Sequence, residues 1–125
     1  MPQEWSEDIV VSRLSDEPAL SDELSAALSQ VEGGRRPPHM VLDFSGVSYL
    51  NSSNLAQLLS LRKKLGEHGR QLKLAGLQDE VWSIMLVTGL DKIFRFAPDT
   101  MTALAGLQIE AGADAGAEGD DTGEA

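Results

Sequence analysis

Val41-Leu-Asp-Phe-Ser-Gly-Val-Ser-Tyr-Leu-Asn-Ser-Ser-Asn-Leu55 reads as a strand, a loop and the start of a helix. The apolar run ends in an acid, Asp43, as a buried strand does where it meets solvent. A short polar loop follows, and Ser52 and Ser53 stand where an apolar helical pattern begins. Their hydroxyls are then placed at the positive end of a helix dipole, where a phosphate is tolerated by the fold. The plainer reading is that the two serines cap the helix. On the residues alone both readings stand.

Working outward, the chain alternates strands and helices. Asp8 to Leu14 predicts a strand, with Ile9, Val11 and Arg13 on one side and Val10, Ser12 and Leu14 on the other. Leu20, Leu24, Ala27, Leu28 and Val31 recur at helical spacing; Ser21 offers a cap and Gly33-Gly34 a stop. After Pro37-Pro38, His39 to Phe44 is a strand. Leu55 to Leu65 predicts a helix with Leu55, Leu58, Leu59 and Leu65 inward and Lys63 and Lys64 outward. Gln71 to Ala75 is a strand, Asp79 to Val87 a helix closed by Gly89, Lys92 to Phe96 a strand, and Met101 to about Leu107 a last helix. Strands joined through single helices lie parallel with right-handed crossovers, so the expectation is an α/β fold with at least four strands.

Composition narrows the function. A length of 125 residues with 42% hydrophobic content suits one domain with its own core. There is no cysteine, hence no disulfide framework, thiolate metal site or cysteine nucleophile. The acidic start (Glu4, Glu7, Asp8) is unlike a signal peptide, and no stretch approaches the roughly 20 apolar residues of a membrane span. A cytoplasmic location without membrane insertion is expected. The net charge of −10 argues against direct nucleic-acid binding. Arg62-Lys63-Lys64, with Arg70 and Lys73 nearby, reads as a solvated helix face. The domain is expected over residues 1–110. Residues 111–125, which are alanine, glycine and five acids, form a tail expected to be disordered.

Three segments resemble one family. The quoted stretch is similar to the central block of STAS domains, the anti-sigma factor antagonist family. Gly69-Arg-Gln-Leu-Lys-Leu-Ala-Gly76 resembles the strand after that family's helix, and Val87-Thr-Gly-Leu-Asp-Lys-Ile-Phe94 a later signature. Their order and spacing are the family's from about His39 to Leu107. The resemblance implies a sheet of four to five mostly parallel strands, about four helices largely on one face, and an extra N-terminal strand at the edge. It implies a binding module rather than an enzyme, with no cofactor. It further implies that the partner is an anti-sigma factor or related serine kinase, and that Ser52, by position, is the residue it phosphorylates to end the interaction. Asn51 replaces the family's Asp and Asn54 its Gly. The alternative for such a changed motif is an unphosphorylated STAS adaptor docking on a membrane transporter or ABC complex.

The remaining residues each carry two readings. Asp43 either ties down the loop after it or acts beside the acceptor serine. Asn51, Ser53 and Asn54 complete the motif and its partner surface. Trp82 and Leu86, four apart and off the Val81/Ile84/Met85 face, are either core or an exposed docking pair, for a partner or for a homodimer. His39 and His68 lack metal-ligand spacing and read as structural or solvated. No phosphate-cradling glycine loop or serine-hydrolase elbow is present.

Overall fold

A computed structural model describes residues 2–6, 8–33 and 37–114, with side chains for 8–33 and 37–109. The elements are β1 (Pro2–Ser6), β2 (Ile9–Ser15), α1 (Ala19–Gly33), β3 (His39–Gly46), α2 (Ser52–Glu67), β4 (Leu72–Ala75), α3 (Asp79–Thr88), a 3-10 turn (Leu90–Lys92), β5 (Arg95–Ala97) and α4 (Thr100–Asp114). They form one sheet in the order β1-β2-β3-β4-β5. β1 pairs antiparallel with β2, and β2 to β5 are parallel. This is the expected α/β architecture, including the extra strand at the edge.

Strand order follows chain order and never reverses. Right-handed crossovers taken in one direction put every connecting helix on the same face. Accordingly Met40, Leu42 and Phe44 of β3 share a core with Leu20 and Leu24 of α1, Leu58, Leu61 and Leu65 of α2, and Val81 and Met85 of α3. Alternate residues of a strand point to opposite faces. The other face carries Ile9, Val41 and Ala75, covered by Ala103, Leu104 and Leu107 of α4. Gly106 leaves room for the end of the Lys73 side chain beside α4, since a Cβ there would sit 2.7 Å from Lys73 Nζ.

Three local expectations are corrected. In α2 the buried residues are Asn54, Leu58, Leu61 and Leu65, whereas Leu59 is 39% exposed. Spacings of four, three and four follow the 3.6-residue turn, and Leu59 lies one residue, about 100°, off that stripe. The strand expected over Lys92 to Phe96 starts only at Arg95. Gly89, in the left-handed region at φ 78°, ends α3, and the chain winds through a tight turn held by Ile93 N–H and Phe94 N–H donating to Leu90 O. Leu90 and Phe94 anchor that turn in the core. The last helix runs on to Asp114, and the remainder of the acidic tail, 115–125, lies outside the described residues.

Candidate functional site

The quoted stretch folds as a strand, an anchored loop and a helix N-terminus at the C-terminal edge of the sheet. Val47 and Leu50 are buried and pin the loop, leaving Tyr49 between them 64% exposed. Ser48 donates through its N–H and its hydroxyl to the two oxygens of Asp16, both at 2.8 Å. Those bonds hold the Asp16 carboxyl below its ordinary range, the backbone donor contributing most. The β2–α1 and β3–α2 connections are thereby fastened to each other.

Asn51, in extended conformation at φ −94° and ψ 176°, is the N-cap of α2. Its Oδ1 accepts from Asn54 N–H at 2.8 Å, and Asn54 Oδ1 accepts from Asn51 N–H at 3.0 Å. This is a reciprocal capping box built from two asparagines. Asn54 is fully buried and its Nδ2 donates to Glu17 Oε2 at 3.0 Å. Glu17 also accepts from Ser21 N–H at 3.0 Å and from the Ser21 hydroxyl. The Ser21 hydroxyl, then the Asn54 amide, hold the Glu17 carboxyl down to about 2. Ser21 therefore lies inside α1 and serves Glu17, where the sequence predicts a helix start.

With Asn51 as the cap, Ser52 and Ser53 are the first two helical residues. Both are exposed, and among the described residues neither hydroxyl has a hydrogen-bond partner. The capping reading of the serines is thus set aside. The first turn of α2 itself holds no acid, and the carboxylate that reaches its N-terminal end is that of Glu17, on Asn54 Nδ2. N–H groups of a first turn lack helical partners, and only that of Asn54 is used by the cap. An anion at Ser52 would meet the others.

Asp43 is not brought to the serines. It is 9% exposed, alternates with the core residues Leu42 and Phe44, and so faces away from α2. Its Oδ1 accepts from Ser45 N–H at 2.9 Å, and its Oδ2 lies 3.6 Å from Arg13 Nε. That is the loop-tying role. Asn54, placed on the partner surface by its position in the motif, instead works behind that surface.

Trp82 and Leu86 divide between their two readings. Trp82 meets Phe96 of β5 edge-on, with ring centroids 5.0 Å apart and planes at 87°, yet remains 38% exposed. Leu86 is 51% exposed and Val87, which the sequence reading passed over, is 86% exposed. Gln78, the N-cap of α3, donates its Nε2 to Ser45 O at 2.8 Å, which sets the start of α3 beside the serine loop. His39 is buried at the opposite edge of the sheet, where its Nδ1 accepts from Gln71 N–H at 3.0 Å. His68 is the exposed C-cap of α2. Among the described residues no cluster of histidines and acids could hold a metal ion, and no helix is long and apolar enough to cross a membrane.

The sequence reading also missed Asp16 and Glu17. Two adjacent acids just before a helix are a local signal and Ser21 pairs locally with Glu17, but Ser48 and Asn54 lie more than 30 residues from the acids they meet, and nothing local marks that pairing.

Comparison with known proteins agrees with this architecture. The chain is 33% identical over 61 residues to a STAS-domain containing protein of Pseudomonas aeruginosa, a match spanning 49% of this chain and 60% of that protein's length. The solved anti-sigma-factor antagonist (STAS) domain protein from Planctomyces limnophilus shares the fold at TM-score 0.66 and 18% identity, over 84% of this chain and 95% of that one. The Bacillus cell fate determinant SpoIIAA in its phosphorylated form does so at TM-score 0.66 and 16% identity, over 86% and 97%. The sequence pattern of the STAS domain matches residues 15–103, most of the described chain. On that match the chain belongs to the STAS domain family.

Proposed function

We propose that this chain is an anti-sigma factor antagonist-type regulatory module. It binds an anti-sigma factor with serine kinase activity, and phosphorylation of Ser52 ends the complex. The observation that carries the reading is the division of labour at α2: two asparagines cap the helix, and two exposed serines beside them have unengaged hydroxyls.

The kinase transfers the γ-phosphoryl of its own ATP to Ser52 Oγ. An Oγ–P bond forms, the bond to the β-phosphate oxygen breaks, and the hydroxyl proton leaves to the kinase. The product carries about −1.5 to −2 charge and is held by first-turn N–H groups and the helix dipole. Folding is unaffected because the capping box stays intact. The partner, which had docked on neutral serine hydroxyls, now meets a dianion added to the carboxylates of Asp16 and Glu17. Tyr49 extends the docking area beside the serines, and Trp82 and Leu86 carry it along α3, whose start lies beside the serine loop. Strand order that never reverses leaves the sheet without the edge crevice in which α/β enzymes bind substrates, which favours a binding module over an enzyme.

A quantitative pull-down from the source organism's lysate, with wild type and Ser52→Asp as parallel baits, tests the reading. A protein with a serine-kinase ATP site, held by wild type and lost with Ser52→Asp, is expected. Equal retention by both baits overturns the gate. A second reading, the unphosphorylated adaptor docking on a membrane transporter, is favoured by one observation: Asn51 lacks the acid of the family motif, and its side chain is committed to Asn54. Equal retention of a transporter subunit by both baits would select it.

A further inference from the structure

A cleft of about 460 Å³ opens at the other end of α2 from the serines, between that helix and the starts of β4 and β5. We propose that it is a binding site for a small organic phosphate. Its walls carry Arg62, Lys63, Arg70 and Arg95 against a single acid, Glu67. That is a net of +3 over the lining, or +2 with Asp8 beside Arg70, on a chain whose overall charge is −10, and it concentrates four of the ten lysines and arginines in one place.

The cations are held differently. Arg70 is a fixed wall, its side chain only 13% exposed. Its Nε donates to Pro37 O at 2.7 Å, Nη1 lies 3.1 Å from His39 Nε2, and Nη2 is 3.7 Å from Asp8 Oδ1. Arg62 is steadied by its Nε donating to Ile93 O at 3.2 Å, which spans the cleft from α2 to the turn before β5. Among the described residues neither Arg62 nor Lys63 forms an ion pair. Arg95 is engaged with neighbours and only completes the rim. The C-terminal end of α2 contributes about half a negative charge, too little to reverse the sign.

The floor is apolar. Leu72 and Phe94 are 6% exposed, and Ile93 is 41% exposed. An inorganic ion would leave that floor unused, and a neutral ligand would leave the cations unanswered. The volume lies within the range of small-molecule pockets, about 300–1,000 Å³. A phosphate monoester carries close to two charges and suits the fork of an arginine. The phosphate is placed against Arg62 and Lys63, and the body of the ligand on Leu72, Ile93 and Phe94. With α2 rising about 1.5 Å per residue, the cleft lies roughly 20 Å from Ser52, far enough for a protein partner and this ligand to be bound together.

The test is an amide-resolved NMR titration of the full chain with AMP, glucose 6-phosphate and phosphocholine, each beside its unphosphorylated counterpart, and with inorganic phosphate. At least one ester is expected to shift the amides of residues 66–72 and 93–95 saturably, with Kd below about 1 mM. The counterpart, and the Arg62→Ala/Lys63→Ala variant, are expected to bind about tenfold or more weakly. Both side chains are on the helix surface, so the variant keeps its fold, and its unperturbed spectrum elsewhere verifies that. The proposal is overturned if no ester shifts these amides by about 10 mM, if the shifts fall at the serine end of α2, if the double variant binds as well, or if inorganic phosphate binds as tightly as every ester.

Discussion

Replacing Asn54 with alanine tests the claim that this residue, buried behind the serines, sets the start of α2. The substitution removes the acceptor for Asn51 N–H and the donor to Glu17 Oε2, while Asn51 keeps its own bond to residue 54 N–H. The partly buried Asn51 N–H is then unsatisfied, at about 1–3 kcal/mol. Alanine returns up to about 0.7 kcal/mol through its better helix propensity. The net expectation is a loss of about 1–2 kcal/mol, which for a domain of this size lowers the melting temperature by about 4–10 °C. Thermal and urea unfolding of wild type, Asn54→Ala and Ser53→Ala measure it together. Ser53→Ala is the internal control: that hydroxyl has no partner, so its midpoint is expected to stay within about 0.5 kcal/mol of wild type. If Asn54→Ala unfolds with wild type, or if Ser53→Ala unfolds as early, the serines and not the asparagines cap the helix and the reasoning fails.

Other outcomes follow from the same geometry. Glu17, held down to about 2 in the folded chain against 4.5 ordinarily, adds stability that is complete above about pH 4.5 and fades as pH falls toward 2. The stability gap between wild type and Glu17→Gln is therefore expected to close across that window in acid-unfolding curves. A gap that persists at pH 2 would sink the assignment. Ser52→Asp places an acid in the first turn, so its stability is expected at or slightly above wild type, by up to about 1 kcal/mol; a clear drop in calorimetry would contradict a tolerated phosphate. Leu61→Ala is expected to cost about 2–5 kcal/mol and Leu59→Ala under about 1 in urea titrations, because only the former is buried. Leu86→Ser, on an exposed side chain, is expected to leave stability within about 0.5 kcal/mol and to weaken capture of the partner. Unchanged capture would remove α3 from the docking surface.

The architecture was legible because the period of its hydrophobic pattern changes cleanly. Met40 to Phe44 is apolar but for Asp43, Leu20 to Val31 is helical, and single-helix connections force a parallel sheet. Where two leucines compete for one stripe, as Leu59 and Leu61 do, composition does not choose between them; the register of α2 on the sheet does. The 3-10 turn was hidden for a similar reason, since Ile93-Phe-Arg-Phe96 alternates like a strand while Gly89 and the buried Leu90 bend it out of line. At the candidate site the sequence located the serines but misassigned their neighbours. Asn51 and Asn54 look like losses from a family motif. In space Asn54 answers Glu17, whose carboxylate takes a hydrogen bond from its side chain, and Asn51 closes the capping box with Asn54. That match spans more than 30 residues and depends on tertiary placement alone.

The far edge of the sheet has a consequence of its own. β5 is three residues long and is followed at once by Pro98, which has no N–H to offer. Such an edge presents almost no main-chain ladder on which a foreign strand could grow. The β5 side of the sheet is thus poorly suited to edge-to-edge growth. The apolar surface on α3 can serve recognition without the neighbouring β5 edge also recruiting strands, so the two liabilities are separated on that side of the molecule.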